Sequence, residues 1–142
     1  MITQSMLFFS LLLPTFLSGS LPSDFDGNPQ LKHPFKPCPD SPNCVIHSVE
    51  FDMDAKTLFS AASTVLEGMH PYKLNADSHS LQIEAVFRIP VFRFKDDLEI
   101  VIDSKPSGSI FHIRSASRVG YSDLGVNRRR VHRILNGIKN NL

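Results

Sequence analysis

Two adjacent carboxylates, Asp96 and Asp97, and an arginine-rich run over residues 114–130 are the parts of this chain whose side chains invite chemistry. Paired carboxylates suit general acid and base work only if both reach one substrate. Neighbours on a strand point to opposite faces, so Asp96 and Asp97 cannot readily do so. Phe94, Leu98, Ile100 and Ile102 mark the apolar face of that strand, and Asp96 falls on it. A carboxyl buried there must be hydrogen-bonded or give up its charge, which makes Asp96 the candidate general acid or base. In the next strand Phe111 and Ile113 point inward, and so therefore do Ser115 and Ser117. With residues 104–107 as the hairpin loop, Asp103 faces Gly108, Asp96 faces Ser115, Asp97 faces Arg114 and Glu99 faces His112. A hydrolase or transferase with Asp96 beside Ser115 or Ser117 is one class this arrangement permits. Neither serine has a histidine partner in the sequence, and no G-x-S-x-G, H-E-x-x-H or glycine-rich phosphate loop occurs.

The arginine run points to binding instead. Arg114, Arg118 and Arg128 offer forked donors that match a carboxylate or phosphate, with Tyr121, Asp123 and Asn127 as further candidate contacts. Gly120 and Gly125 allow tight backbone paths, and a helix start nearby adds the positive end of its dipole. From Lys105 onward eight basic side chains face the single acid Asp123, so this part carries +7 and the preceding part −6. Such a tail attracts an anionic small molecule or an acidic protein surface, unless Asp96, Asp97, Glu99 and Asp123 neutralise it internally.

The compartment is read from the other end of the chain. Residues 6–17 form an apolar run broken only by Ser10, Pro14 and Thr15, too short for a membrane span and suited to a signal peptide. Ser18 and Ser20 place small residues before a cut at Leu21. Residues 1–20 are thus expected to be removed on export, with an uncleaved anchor, the one membrane attachment foreseen, as the competing reading. Cys38 and Cys44 are the only cysteines. In an exported chain a structural disulfide is the leading reading, stabilising by about 2 kcal/mol through the short ring it closes. A redox pair lacks the C-x-x-C spacing, and two thiolates make a poor zinc site even with His33 and His47 nearby. No metal or other cofactor is expected. Export and core-like aromatics also argue against nucleic acid as a partner.

These residues must be held by one domain, because 142 residues support one core comfortably but not two. Six of the ten prolines fall within residues 21–43, which read as an extended arm. The domain proper, 44–142, begins with a strand at 45–51 and a helix from Ala55 to about Glu67, capped by Asp54 and ended by Gly68. Four strands follow at 72–76, 81–88, 93–103 and 109–117, with Pro90 in a connection. Leu81, Ile83, Ala85 and Phe87 mark the inner face of the second of these. Val131, Ile134, Leu135, Ile138 and Leu142 then give a last helix, capped by Asp123 or Asn127, with Arg128, Arg129, Arg130, Arg133 and Lys139 largely on its other faces. The expected fold is α+β: an antiparallel four-strand meander plus an N-terminal strand, with two helices packed on one face.

Three stretches carry a family resemblance: Ser41-Pro42-Asn43-Cys44-Val45, Arg93-Phe94-Lys95-Asp96-Asp97-Leu98-Glu99, and residues 114–128 with their Arg-Ser-Ala-Ser-Arg-Val-Gly-Tyr-Ser-Asp-Leu-Gly-Val-Asn-Arg run. Together they resemble an uncharacterised family catalogued as domain of unknown function 1499, from about Pro37 to the C-terminus. The resemblance implies no activity, ligand or catalytic residue. Three function classes are therefore carried forward: a non-enzymatic envelope module binding an anionic ligand or protein partner, an Asp96-dependent hydrolase or transferase, and a structural or assembly subunit.

Overall fold

The computed structural model describes residues 27–142; the expected signal segment and residues 21–26 of the arm lie outside them. Seven elements follow in order: β1 (Cys44–Phe51), α1 (Ala55–Gly68), β2 (Lys73–Asp77), β3 (Gln82–Arg88), β4 (Lys95–Lys105), β5 (Gly108–Ser117) and α2 (Val126–Asn140). The strands form one sheet in the order β1-β5-β4-β3-β2, every neighbouring pair antiparallel. Both helices pack on one face, giving the expected α+β layer.

Alternation dictates which face is apolar. Ile83, Ala85 and Phe87 of β3, Leu98, Ile100 and Ile102 of β4, and Phe111 and Ile113 of β5 are all buried under the helices. Leu58, Phe59, Ala62 and Leu66 of α1 and Val131, Ile134, Leu135 and Ile138 of α2 meet them at helical spacing. Each fully buried Leu or Ile contributes roughly 1.5–3 kcal/mol by leaving water. Asp54 opens α1 by accepting from the Lys56 and Thr57 amides at 3.1 and 3.0 Å.

The hairpin between β4 and β5 is tighter than the sequence suggests. Lys105, not Asp103, faces Gly108, leaving Pro106 and Ser107 as a two-residue turn. Gly108 adopts φ +107°, and a Cβ there would lie 2.3 Å from the Phe51 carbonyl oxygen, so only glycine fits. The register therefore moves by two residues: Asp96 faces Ser117, Asp97 faces Ala116 and Glu99 faces Arg114. Because the shift is even, each side chain keeps the face assigned to it.

Three further expectations change. Phe94 precedes β4 and is exposed instead of facing the core, and Leu142 lies exposed beyond the end of α2. Arg130, expected on an outer face of α2, is buried.

The arm crosses the sheet face opposite the helices. Leu31 and His33 lie with Ile46 and Ser48 of β1, while Phe35 lies with Gln82, Glu84 and Val101 of β3 and β4. Cys38 and Cys44 are disulfide-bonded, tying the end of the arm to the first residue of β1.

Candidate functional site

Asp96 sits at the start of β4 with no exposed surface, and its Oδ2 accepts from Arg130 Nη2 at 2.7 Å. Arg130 also donates through Nη1 to Asn127 Oδ1 at 2.7 Å and to Ser115 Oγ at 3.2 Å. Its guanidinium lies over the Phe87 ring, 4.5 Å from the centroid. Asp96 and Ser115 thus share the inner face as expected, but Arg130 bridges them. Asp96 Oδ1 is buried without a hydrogen-bond partner among the described residues.

Asn127 extends this network to the loop before α2. Ser115 Oγ donates to its Oδ1 at 2.5 Å, and its Nδ2 lies within bonding distance of the Asn43 carbonyl, Ser117 Oγ and Asp123 Oδ2, at 3.2, 2.9 and 2.7 Å. Asn43 in turn donates from Nδ2 to the Gly120 carbonyl at 2.6 Å. The residue before the disulfide's second cysteine therefore pins the 118–125 loop. Asp123 is the residue that caps α2, although the N-cap position belongs to Gly125 at φ +77°. Its two oxygens accept from the Gly125 and Asn127 amides at 2.9 and 2.8 Å.

On the opposite face the candidate arginines are held by carboxylates. Arg114 Nη1 donates to Glu99 at 3.1 Å, and Arg118 forms a two-pronged pair with Asp97 at 2.9 and 2.7 Å. Its hydrogen bonds to Asp97 raise the Arg118 pKa above the ordinary guanidinium value, so that cation is fixed at every relevant pH. These pairs border a groove of about 710 Å³ that also reaches Lys73, Asn75 and Glu84. Arg128 is half-buried at the start of α2, and Tyr121 is 70% exposed at the tip of its loop.

His112, assigned to this face, does not meet Glu99. Its Nδ1 lies 2.7 Å from Ser48 Oγ and its Nε2 lies 3.0 Å from Asp103 Oδ2. Ser48 and His112 are buried on the face that the arm crosses, where Ser48 lines the groove between the arm and β1, while Asp103 is exposed. Among the described residues no group of three His, Cys, Asp or Glu side chains could hold a metal ion.

The most uneven feature is at one end of the sheet. The 89–94 loop joins β3 to β4 there, and the 118–125 loop leaves β5 beside it, linked by the Arg118 amide donating to the Lys95 carbonyl at 3.0 Å. Tyr72, Val91, Phe92, Phe94, Val119, Tyr121 and Leu124 all lie at this end, seven of the eight exposed large hydrophobic residues among those described. Around them Lys73, Arg88, Arg93 and Lys95 form no salt bridge among the described residues. Arg88 and Lys95 instead lie over the Tyr72 ring, 4.0 and 5.0 Å from its centroid.

Sequence reasoning missed Arg130 and this end of the sheet for different reasons. Arg130 lies four residues before Ile134 and three after Asn127, so helical spacing alone would have put it on the buried stripe. The exposed loop residues carry no period, and only the strand order brings Tyr72, the 89–94 loop and the 118–125 loop together.

The fold and its polar belt define a small α+β protein: one antiparallel sheet, two helices on one face and an arm on the other. Residues 34–138 match the family described as protein of unknown function, DUF1499, and the chain belongs to that family. No curated protein matches. A solved structure that is similar is the di-domain ARO/CYC BexL from the BE-7585A biosynthetic pathway, at 8% identity and a TM-score of 0.46. That likeness covers 69% of this chain and 43% of the other, so this chain spans less than half of that protein's length.

Proposed function

We propose that this chain is a non-enzymatic module of the cell envelope that binds an anionic partner through the loops at the 89–94 and 118–125 end of its sheet. The observation that carries this reading is the gathering of exposed apolar side chains and uncompensated cations at that one end. Clustered apolar surface rimmed by charge is the mark of a docking site, whereas scattered exposed residues need no explanation. The arginine run expected to bind contributes Arg118 and the loop that follows it. Arg114 and Arg130 are engaged by Glu99 and Asp96.

The use of Asp96 supports a non-enzymatic reading. A general acid or base must come within hydrogen-bond reach of its substrate, and Asp96 is sealed from solvent and paired with Arg130. Placement in an exported compartment is supported by the Cys38–Cys44 bond, which such compartments maintain.

Charge reversal tests the reading. Arg93→Glu with Lys95→Glu should abolish binding to polyglutamate and to phosphatidylglycerol vesicles while leaving the thermal midpoint within a few degrees. Arg118→Ala should weaken binding less, because it removes one positive charge, already paired with Asp97, where the double reversal changes the charge by four. Undiminished binding by the double variant to both probes would remove the loop end as the docking face.

A further inference from the structure

We infer that the anionic partner of the loop end is a phospholipid surface, with Val91 and Phe92 entering the interface and Arg88, Arg93 and Lys95 lying against lipid phosphates. This rests on the docking face proposed above and names what occupies it.

Three observations favour a bilayer over an acidic protein. The first is shape. Val91 and Phe92 are 89% and 69% exposed at the tip of a protruding loop, where they can enter a soft medium without a complementary pocket. Phe94 stacks on Phe92 with ring centroids 5.8 Å apart, widening the apolar tip.

The second is the loop's backbone. The amides of Ile89 and Arg93 donate to the Phe94 and Ile89 carbonyls at 2.8 and 3.0 Å, and the Phe92 amide donates to the Pro90 carbonyl at 3.0 Å. Pro90 has no amide hydrogen. A loop that enters the edge of a hydrocarbon layer must satisfy its donors internally, and the amides of Ile89, Phe92 and Arg93 do so here. It does so at a conformational cost, with φ +74° at the β-branched Val91 and +58° at Arg93. Such backbone strain, found where a segment has a binding role, here holds the apolar side chains outward.

The third is the layering of charge and aromatic rings. Tyr72 lies among Lys73, Arg88 and Lys95 at the base of the loop, with Tyr121 on the adjacent one. Tyrosines at headgroup depth, cations against phosphates and aliphatic or phenyl tips below form the profile of an interfacial anchor. No helix among the described residues is long and apolar enough to cross a membrane, so this attachment is peripheral for the described part of the chain.

The chain contains no tryptophan, so Phe92→Trp in the full-length protein makes a single reporter at the tip. The introduced indole reads the loop itself, whatever the apolar N-terminal run does. Vesicles of phosphatidylcholine mixed with phosphatidylglycerol should shift its emission to the blue, and lipids brominated along their acyl chains should quench it. Replacing Arg88, Arg93 and Lys95 together with alanine should weaken that response about a hundredfold, at roughly fivefold per cation. Tyr121→Trp supplies a second reporter should position 92 prove intolerant. Unchanged emission on anionic vesicles, or an equal shift on phosphatidylcholine alone, overturns the inference. If polyglutamate shifts the indole emission while vesicles do not, the docking face stands and its occupant is an acidic protein. Silence towards both probes overturns the docking reading as well.

Discussion

Arg130 Nη2 lies 2.7 Å from Asp96 Oδ2, joining α2 to the start of β4 inside the sheet–helix interface. Both groups are buried, and the contact is among the few polar ones in a face otherwise built of Leu, Ile, Val, Ala and Phe. Removing one partner of such a pair strands the other charge away from water, which costs about 3–5 kcal/mol. Asp96→Asn and Arg130→Met should each lower unfolding free energy in urea by an amount of that order. A loss well under about 1 kcal/mol in both would mean that the pair is not what joins the two layers.

Asn127 serves the loop more than the core. Its amide meets Asn43, Ser117 and Asp123 together, and its Oδ1 accepts from Ser115, so Asn127→Ala leaves the buried Ser115 hydroxyl without its acceptor and takes one of two acceptors from Arg130 Nη1. A destabilisation of about 2 kcal/mol is expected for such buried unpaired groups. Amide exchange should accelerate over residues 118–125 and leave β3 unchanged; uniform acceleration would show that the network stabilises the whole domain equally.

Much of this architecture was legible in the residues. The period-two runs marked β2 to β5, and the even register error left Asp96, Ser115 and Ser117 on one face and Arg114 and His112 on the other. The pairing itself was not legible, because Pro106-Ser107 suffices for the turn and residue type alone does not choose between two- and four-residue loops. Ion-pair partners followed the register: Asp97 meets Arg118 and Glu99 meets Arg114. The apolar tips of the 89–94 loop were not legible either. Phe94 fits the inward alternation of the strand that follows, and only the early turn at residues 90–94 throws it outward.

The Cys38–Cys44 bond connects the arm to β1 beside Asn43, the residue that holds the 118–125 loop. Reduction, or Cys38→Ser, should cost about 2 kcal/mol by the chain-entropy estimate for so small a ring. Identical thermal midpoints with and without reductant would show that the arm's own packing fixes Asn43.

Asp54 carries a pH dependence of known sign. The Thr57 hydroxyl and the Thr57 and Lys56 amides all donate to it, the hydroxyl most strongly, and lower its pKa below the ordinary carboxylate value. A group whose folded pKa is depressed stabilises above its unfolded value and loses that contribution as pH falls through the folded one. Asp54→Ala should therefore lower the thermal midpoint at neutral pH and differ progressively less from wild type as pH falls below about 4. A gap that widens on acidification would contradict the capping role.

Where an anionic partner touches the chain is the point on which the docking face stands or falls. Hydrogen exchange of the full-length protein, with and without phosphatidylglycerol vesicles, answers this residue by residue. Protection should appear over residues 88–95 and 118–125 and be absent at the far-end turns, 78–81 and 106–107. Protection confined to the far end, to the groove beside Glu84 and Glu99, or to no described residue would contradict it.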